Sequence, residues 1–124
     1  MVEPLASDPR AALGRAGEQA ALDVYERLGF RLVARNWRCR AGELDLVVER
    51  DGLLVFCEVK TRSGSGFGGG FEAVTAAKQR KVRQLAELFL AMSGLTPPRS
   101  RFDVASVGRG RRGVTEVELF RDAF

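Results

Sequence analysis

Residues 42–61 read GELDLVVERDGLLVFCEVKT and contain two apolar, strand-like segments on either side of Asp51-Gly52. An Asp-Gly pair in this setting is a strong signal for a two-residue type I′ hairpin turn, in which both central residues take positive φ angles. We therefore predict an antiparallel hairpin made of strands 43–50 and 53–61.

The two-residue turn determines which residues face each other across this hairpin. Arg50 would pair with Leu53, and Asp45 would then face Glu58. Because side chains alternate along a strand, one face of the hairpin would be charged, with Glu43, Asp45, Glu58 and Lys60. The other face would be apolar core, with Leu44, Leu46, Val48, Val55, Cys57 and Val59. A three-residue turn would shift the register and separate the two carboxylates.

The facing carboxylates of Asp45 and Glu58 require a nearby positive charge. Opposed Cβ atoms lie about 4.5–5.5 Å apart, so two ionised carboxylates at these positions repel each other. Lys60 could supply the charge, and so could a divalent cation with oxygen ligands. A structural interpretation fits the same pairing: Glu43 and Lys60 would form a cross-strand ion pair, with the two carboxylates at a solvated end of the sheet.

The composition limits the chemistry available to the chain. Its 124 residues include no histidine and two cysteines, Cys39 and Cys57, without a CxxC motif. This excludes a histidine base and most zinc sites, and leaves carboxylates, lysine, hydroxyls and a hard metal ion. The net charge of +4 and the pI of about 9.7 are typical of a protein with an anionic partner such as nucleic acid, and equally of a plain basic surface.

Length predicts a single domain over residues 9–124, preceded by a loose arm at residues 1–8. No apolar run approaches the roughly 20 residues of a membrane helix, and the N-terminus lacks the pattern of a signal peptide. We expect a cytoplasmic protein with no membrane association and no disulfide.

Periodicity and turn residues predict the element order α-β-β-β-α-β-β. Outside the hairpin, the elements are expected at residues 9–28, 30–37, 75–93, 101–107 and 114–120. The second helix would have Thr75 as its N-cap and an apolar stripe of Val82, Leu85, Leu88, Phe89 and Met92. The third strand, this helix and the fourth strand form a crossover between parallel strands, so the fold class is α/β with a mixed sheet.

Several segments, taken in order, resemble known families. GELD at 42–45 followed by EVK at 58–60 resembles the PD-(D/E)XK nuclease motif, with Leu44 where the motif's name has proline. A wider series resembles the uncharacterised YraN-like family, which is related in fold to Holliday-junction resolvases: GEQAA (17–21), RN (35–36), FCEVKTR (56–62), AV (73–74) and RFDV (101–104). The resemblance covers about residues 14–120 and implies a restriction-endonuclease-like fold.

This resemblance also implies roles for the hairpin residues. Asp45 and Glu58 would bind Mg²⁺ or Mn²⁺, with the Val59 carbonyl as a further ligand. Lys60 would orient or activate the attacking water, or stabilise the charged transition state. The metal would polarise the phosphodiester and help to generate hydroxide. Lysine suits its role better than arginine because it is a compact charge whose protonation can be tuned.

Four residues outside these positions could support the site, and each has a structural alternative. Glu18 on the first helix could complete the metal shell, or bond an arginine at the rim. Glu43 is explained more simply as a partner of Lys60 than as a metal ligand. Lys78 and Gln79 open the second helix, where they could touch the scissile phosphate or be solvated.

Arginines in loops are expected to contact nucleic acid: Arg62, Arg109, Arg111 and Arg112. The last three form a basic hairpin tip that could grip phosphates or be merely solvated. The glycine-rich segment 62–70 lacks the GxxxxGK[ST] pattern of a nucleotide-binding loop, and could be a flap that orders on DNA or a plain connector. Asp103 is expected to be structural, bonding the backbone or an arginine. Tyr25 and Trp37 are expected in the core, with stacking on a base as the alternative.

These observations predict a Mg²⁺- or Mn²⁺-dependent endonuclease, with DNA, branched or otherwise, as the favoured substrate. A nucleic-acid-binding module that keeps the fold without activity is the alternative. Junction-resolving relatives act as dimers, so a homodimer is an option, as is a protein partner in DNA processing. A purely structural adaptor is disfavoured, because EVK stands where a core strand would prefer apolar residues.

Overall fold

The computed structural model describes residues 9–62 and 74–124. Their elements follow the predicted order: α1 (Pro9–Arg27), β1 (Arg31–Cys39), β2 (Gly42–Arg50), β3 (Leu53–Thr61), α2 (Ala76–Ser93), β4 (Arg99–Arg109), a 3-10 turn (Arg111–Gly113) and β5 (Thr115–Phe120). The predicted arm at residues 1–8 and almost all of the glycine-rich segment lie outside the described residues, as does the side chain of Arg111.

The five strands form one mixed sheet in the order β1-β2-β3-β4-β5. β3 and β4 are parallel, and the other neighbouring pairs are antiparallel. The connection from β3 to β4 runs through α2, which confirms the predicted crossover. Because β3 and β4 run in the same direction, the end of β3 and the end of β4 lie at the same edge of the sheet.

The β2–β3 hairpin has the predicted turn. Asp51 and Gly52 have φ angles of 49° and 79°, as a type I′ turn requires. The register runs as predicted from Arg50–Leu53 to Leu46–Cys57. The local turn chemistry therefore suffices to align this part of the sheet.

Both faces of the sheet are buried, each under one helix. The α1 side contains Ala21, Leu22, Tyr25, Phe30, Leu46, Val48, Val55, Cys57, Ala105 and Val107. The α2 side contains Leu44, Val47, Leu54, Phe56, Val82, Leu85, Ala86 and Phe89. Burial on both faces explains why the central strands contain continuous apolar runs.

The packing of two apolar residues differs from the sequence prediction. Leu44 packs on the α2 side whereas Leu46 packs on the α1 side, so the prediction of one continuous apolar face through both residues is wrong. Met92, placed on the apolar stripe of α2, is 69% exposed, and Ala86 is buried instead. Met92 lies in the last turn of α2.

Both ends of α2 are capped, and the N-cap is the predicted Thr75. The Thr75 hydroxyl accepts a hydrogen bond from the backbone N–H of Lys78 at 3.2 Å, and Gly94 ends the helix in the left-handed region at φ 74°. Neither helix in the described ranges is long and apolar enough to span a membrane.

Candidate active site

Asp45 lies where the hairpin departs from regular pairing. The β2–β3 ladder ends at Leu46–Cys57, and the Asp45 carboxylate then accepts a hydrogen bond from the backbone N–H of Val59 at 2.9 Å. Leu44 and Leu46 pack on opposite faces of the sheet although they are two residues apart. Regular alternation along the strand therefore does not predict which face the side chains of β2 before Leu46 occupy. The side chain of Asp45, rather than a backbone pair, therefore connects β2 to this part of β3.

The Asp45 carboxyl is in an environment that disfavours its charge. Its pKa is raised from 3.8 to about 7, first by burial and then by the negative charge of Glu58. Glu18 raises this pKa further, whereas the Val59 hydrogen bond and the charge of Lys78 lower it. Asp45 is thus an electrostatic neighbour of Glu58 and Glu18, and the charge of Lys78 offsets only part of the rise in its pKa.

Glu58 is buried in the sheet, with only 2% of the residue exposed. Its Oε1 lies 3.2 Å from Nζ of Lys78 on α2, and its buried Oε2 has no hydrogen-bond partner. Buried polar atoms are nearly always hydrogen-bonded in folded proteins. The sequence offers two alternatives for Lys78, contact with the scissile phosphate or solvation, and neither of them includes this ion pair.

Glu18 reaches the site because α1 packs closely on the end of β3. Gly17 is buried there, and a Cβ at this position would lie 2.2 Å from Oγ1 of Thr61. Arg35 Nε is 3.6 Å from Glu18 Oε2, an oxygen that is buried and lacks a hydrogen bond. The contact with Arg35 agrees with the structural interpretation of Glu18. Glu18 also contributes to the field at Asp45, and its role as a metal ligand stays a prediction.

These carboxylates fit a divalent cation by their chemistry. Within residues 9–62 and 74–124, no three acidic, histidine or cysteine side chains are grouped closely enough to hold a metal ion. The two buried oxygens without hydrogen bonds, on Glu18 and Glu58, and the charge-disfavouring environment of Asp45 are nevertheless what a hard cation would relieve. A metal could use the unpartnered Oε2 of Glu58 while Oε1 keeps its contact with Lys78.

Lys60 follows Glu58 by two residues and is half-buried beside β4, where it is in register with Ser106. The expected Glu43–Lys60 pair does not form: Glu43 bonds Arg38 at 3.0 Å, its cross-strand neighbour on β1. No described residue forms an ion pair with Lys60. The use of the Val59 carbonyl as a ligand stays a prediction.

The predicted nucleic-acid contacts gather at the same edge of the sheet as Lys60. Arg62 donates its backbone N–H to the Val107 carbonyl at 2.7 Å, and its guanidinium lies against Gly108, where a Cβ would be 2.9 Å from Nη2. Arg109 ends β4 and is exposed, as is Arg112 in the following turn. The parallel pairing of β3 and β4 accounts for this grouping.

Gln79 has a local structural role. Its side-chain amide donates to the Val74 carbonyl at 3.2 Å, at the start of α2. This contact favours the structural alternative over contact with a phosphate.

Tyr25 and Asp103 form a buried network on the α1 side of the sheet. The Tyr25 hydroxyl donates to Asp103 at 2.6 Å, and Arg101 makes two bonds to the same carboxylate at 2.8 and 2.9 Å. The backbone N–H of Asp122 donates to it at 2.9 Å. The predicted structural role of Asp103 is confirmed. Trp37 packs edge-on against Phe89, with ring centroids 5.4 Å apart.

Comparisons with known proteins agree with this fold. The model of the family described as "Uncharacterised protein family UPF0102" matches residues 17–107, a range that includes every carboxylate discussed above except the peripheral Asp122. A UPF0102 protein of Symbiobacterium thermophilum is 50% identical over 112 residues, which cover 90% of this chain and 95% of that protein. A UPF0102 protein of Frankia alni is 47% identical over 120 residues, with 97% and 100% covered. The chain therefore belongs to the UPF0102 family, the YraN-like family that its motifs indicate.

Proposed function

We propose that this protein is a Mg²⁺- or Mn²⁺-dependent endonuclease that cleaves phosphodiester bonds, with DNA as the favoured substrate. The main support is that Asp45, Glu58 and Glu18 are electrostatic neighbours, and that Glu58 and Glu18 each have a buried oxygen without a hydrogen bond. Lys60 follows Glu58 by two residues on β3. The resemblance of GELD and EVK to the PD-(D/E)XK motif assigns this combination of residue types to phosphodiester hydrolysis.

A purely structural role explains this arrangement less well. Burying a carboxylate is costly unless its oxygens are hydrogen-bonded, and both Glu18 and Glu58 keep one buried oxygen without a hydrogen bond. Structural carboxylates in this same protein look different, since Asp103 receives bonds from a tyrosine, an arginine and a backbone N–H. The contrast between Asp103 and Glu58 suggests that the unpartnered oxygen of Glu58 binds a ligand.

The residues of the chain have distinct parts in the proposed reaction. Asp45, Glu58 and Glu18 supply carboxylate oxygens to the cation. When bound, the cation polarises the phosphodiester and lowers the pKa of the attacking water. Lys60 presents a compact positive charge that orients this water or stabilises charge on the phosphate. Lys78, which contacts Oε1 of Glu58, would lie beside the cation site and could also contact the substrate.

The grouping of arginines at the same edge would position the substrate. Arg62 and Arg109 lie with Lys60 at the ends of β3 and β4. Arginine can donate two parallel hydrogen bonds to a phosphate, and such contacts orient a nucleic acid without reading its sequence. We therefore expect a substrate defined by its shape more than by its bases.

A cleavage assay on linear, flapped and branched DNAs with Mg²⁺ or Mn²⁺ tests the proposal. Wild-type protein should cut at least one of these substrates, and Asp45→Ala should abolish cutting. Asp23→Asn is the matched control, because Asp23 is an exposed acid on α1 and should be dispensable. Cutting that persists in Asp45→Ala would rule out the proposed site.

A nucleic-acid-binding module without catalytic activity is the second candidate. The ion pair between Lys78 and Glu58 favours it, because this contact compensates part of the buried charge without a metal. In that case the protein should bind the same DNAs and cut none of them, and Asp45→Ala should leave binding unchanged.

A further inference from the structure

A pocket rich in arginine lies at the opposite end of the central strands from the acidic residues. It has a volume of about 260 Å³ and opens beside Leu53 and Arg99, which are in register at the starts of β3 and β4. Glu58 is five residues further along β3, or about 17 Å at the usual rise of a strand. The pocket is therefore separate from the proposed active site.

Four arginines line this pocket: Arg50, Arg99, Arg101 and Arg121. Two of them are held by neutral backbone groups, since Arg50 donates to the Leu28 carbonyl at 2.6 Å and Arg99 donates to the Asp51 carbonyl at 3.3 Å. A carbonyl orients a guanidinium without cancelling its charge. Each of these side chains keeps further N–H donors for a ligand.

Arg101 is the most firmly held of the four. Two of its nitrogens bond the buried carboxylate of Asp103, which leaves its remaining terminal nitrogen as a donor. Arg50 and Arg101 also lie over the ring of Phe30, with their guanidinium carbons 6.0 and 5.9 Å from its centroid. The arginines are thus positioned in advance, which lowers the cost of ordering them on binding.

Carboxylates around the pocket do not balance this positive charge. Asp51 lines it, but its side chain is 84% exposed and its contact with Arg50 is 3.4 Å long, so the pair contributes little. Asp103 is committed to Arg101, and Asp122 acts on Arg101 only at longer range. The four arginines therefore outnumber the nearby acids.

We propose that this pocket binds a phosphate monoester, either as a free phosphate compound or as the terminal phosphate of a nucleic acid. A monoester carries close to two negative charges and three acceptor oxygens, which suit several converging guanidiniums. The volume is just below the roughly 300–1,000 Å³ of pockets for drug-sized ligands, so it fits a phosphate with a small organic part. An internal phosphate of a duplex carries one charge and cannot enter a concave pocket as readily. The proposal does not rest on the nuclease activity.

Binding of a short single-stranded oligonucleotide in EDTA tests it, because cleavage cannot occur without a divalent metal. The oligonucleotide carries a fluorophore at its 3′ end and either a phosphate or a hydroxyl at its 5′ end, and anisotropy reports the affinity. Wild-type protein should prefer the 5′-phosphate by about tenfold. The variant Arg99→Gln/Arg121→Gln should lose this preference, and both residues are exposed, so the fold should tolerate the change.

The variant Arg40→Gln/Arg80→Gln is the matched control. It removes the same charge from exposed positions at the other end of the sheet, and should keep the preference. Equal affinity of wild type for both oligonucleotides would overturn the proposal. A preference that survives in Arg99→Gln/Arg121→Gln, or that is lost equally in the control, would also overturn it.

Competition with inorganic phosphate separates the two sources of the ligand. Displacement of the 5′-phosphorylated oligonucleotide by inorganic phosphate, at a concentration similar to that of the oligonucleotide itself, would assign the pocket to a free phosphate compound. Displacement only at much higher concentration would assign it to the end of a nucleic acid.

Discussion

Asp45 is the carboxylate of the proposed active site whose negative charge is most clearly disfavoured. Its carboxylate bonds the backbone of β3, and burial together with Glu58 raises its pKa to about 7. Asp45 therefore connects two strands in an environment that disfavours its ionised form. Three predictions at the scale of single residues follow from this position and from the nearby Lys60.

The first concerns stability and pH without metal. Since the pKa of Asp45 is higher in the folded protein than the ordinary 3.8, the folded state holds this proton more tightly. The free energy of unfolding should fall as pH rises from about 4 to about 7, and the loss should be complete above that range. Asp45→Asn should flatten this dependence and stabilise the protein by about 1–3 kcal/mol at pH values above about 8. Urea unfolding in EDTA across this range measures both effects, and a slope in Asp45→Asn equal to that of wild type would contradict the assignment.

The second concerns the metal. A cation that binds the folded protein should stabilise it by about 2.7 kcal/mol at a concentration one hundred times its dissociation constant. Asp45→Asn should remove the rise in melting temperature caused by Mg²⁺ or Mn²⁺, and Glu18→Gln should reduce it. Glu26→Gln is the control, because Glu26 is exposed on the same helix as Glu18. If Asp45→Asn shows the full rise, the ion binds elsewhere.

The third concerns Lys60. Lys60→Ala should lower the rate of cleavage by about 100-fold or more, because the positioned charge at the reacting phosphate is lost. Affinity for uncut DNA should change little, since this residue is one phosphate contact among several. Binding in Ca²⁺ and single-turnover cleavage in Mg²⁺ separate the two quantities. An equal loss in both would make Lys60 a phosphate anchor only.

At the scale of elements, the approach of α1 to β3 brings Glu18 into the site. Gly17 allows this approach, because any Cβ there meets the Thr61 hydroxyl at 2.2 Å. Gly14 lies one turn earlier on the same helix, and a Cβ there has no neighbour within 4 Å. An alanine raises helix propensity at both positions, but only at Gly17 does the added Cβ meet a neighbouring side chain.

We predict opposite effects for alanine at these two positions. Gly14→Ala should stabilise the protein by up to about 1 kcal/mol through helix propensity. Gly17→Ala should destabilise it by about 1–3 kcal/mol through overpacking, and should weaken the binding of Mn²⁺ by displacing Glu18. The double variant Gly17→Ala/Thr61→Ala should recover much of the lost stability, since it removes the blocking oxygen. Destabilisation that the second substitution does not relieve would show that this contact does not limit the approach of α1.

At the scale of the whole molecule, basic residues lie at both ends of the sheet. The basic tip of Arg109, Arg111 and Arg112 lies at the end of the sheet that contains Lys60. The four-arginine pocket lies at the other end. The two helices cover the faces of the sheet between these ends, so a long nucleic acid would contact the edge rather than a face.

Salt dependence measures how much of this edge a DNA duplex covers. Affinity should fall steeply with salt and vary little with sequence, because each neutralised phosphate adds about 0.9 to the log–log slope. Changing Arg109, Arg111 and Arg112 together to alanine should lower the slope by at most about 3. Equal slopes for wild type and the triple variant would remove the tip from the binding surface, and would leave the acidic site untouched as a proposal.

Local sequence by itself determined the elements, their order and the β2–β3 register from Arg50–Leu53 to Leu46–Cys57, because each depends on near neighbours along the chain. Asp51-Gly52 aligns the hairpin through its own φ angles, and Thr75 and Gly94 cap α2. The same local information placed Asp45 and Glu58 on neighbouring strands, and the motifs indicated the family.

Only the tertiary structure decided how the charges in the site are arranged. Lys78 meets Glu58 because α2 folds back over the sheet, and Glu18 approaches Asp45 because Gly17 lets α1 pack on Thr61. The change of face between Leu44 and Leu46 likewise depends on which helix covers each residue. Side-chain periodicity describes one element at a time, whereas these contacts depend on the packing of elements that are distant in sequence.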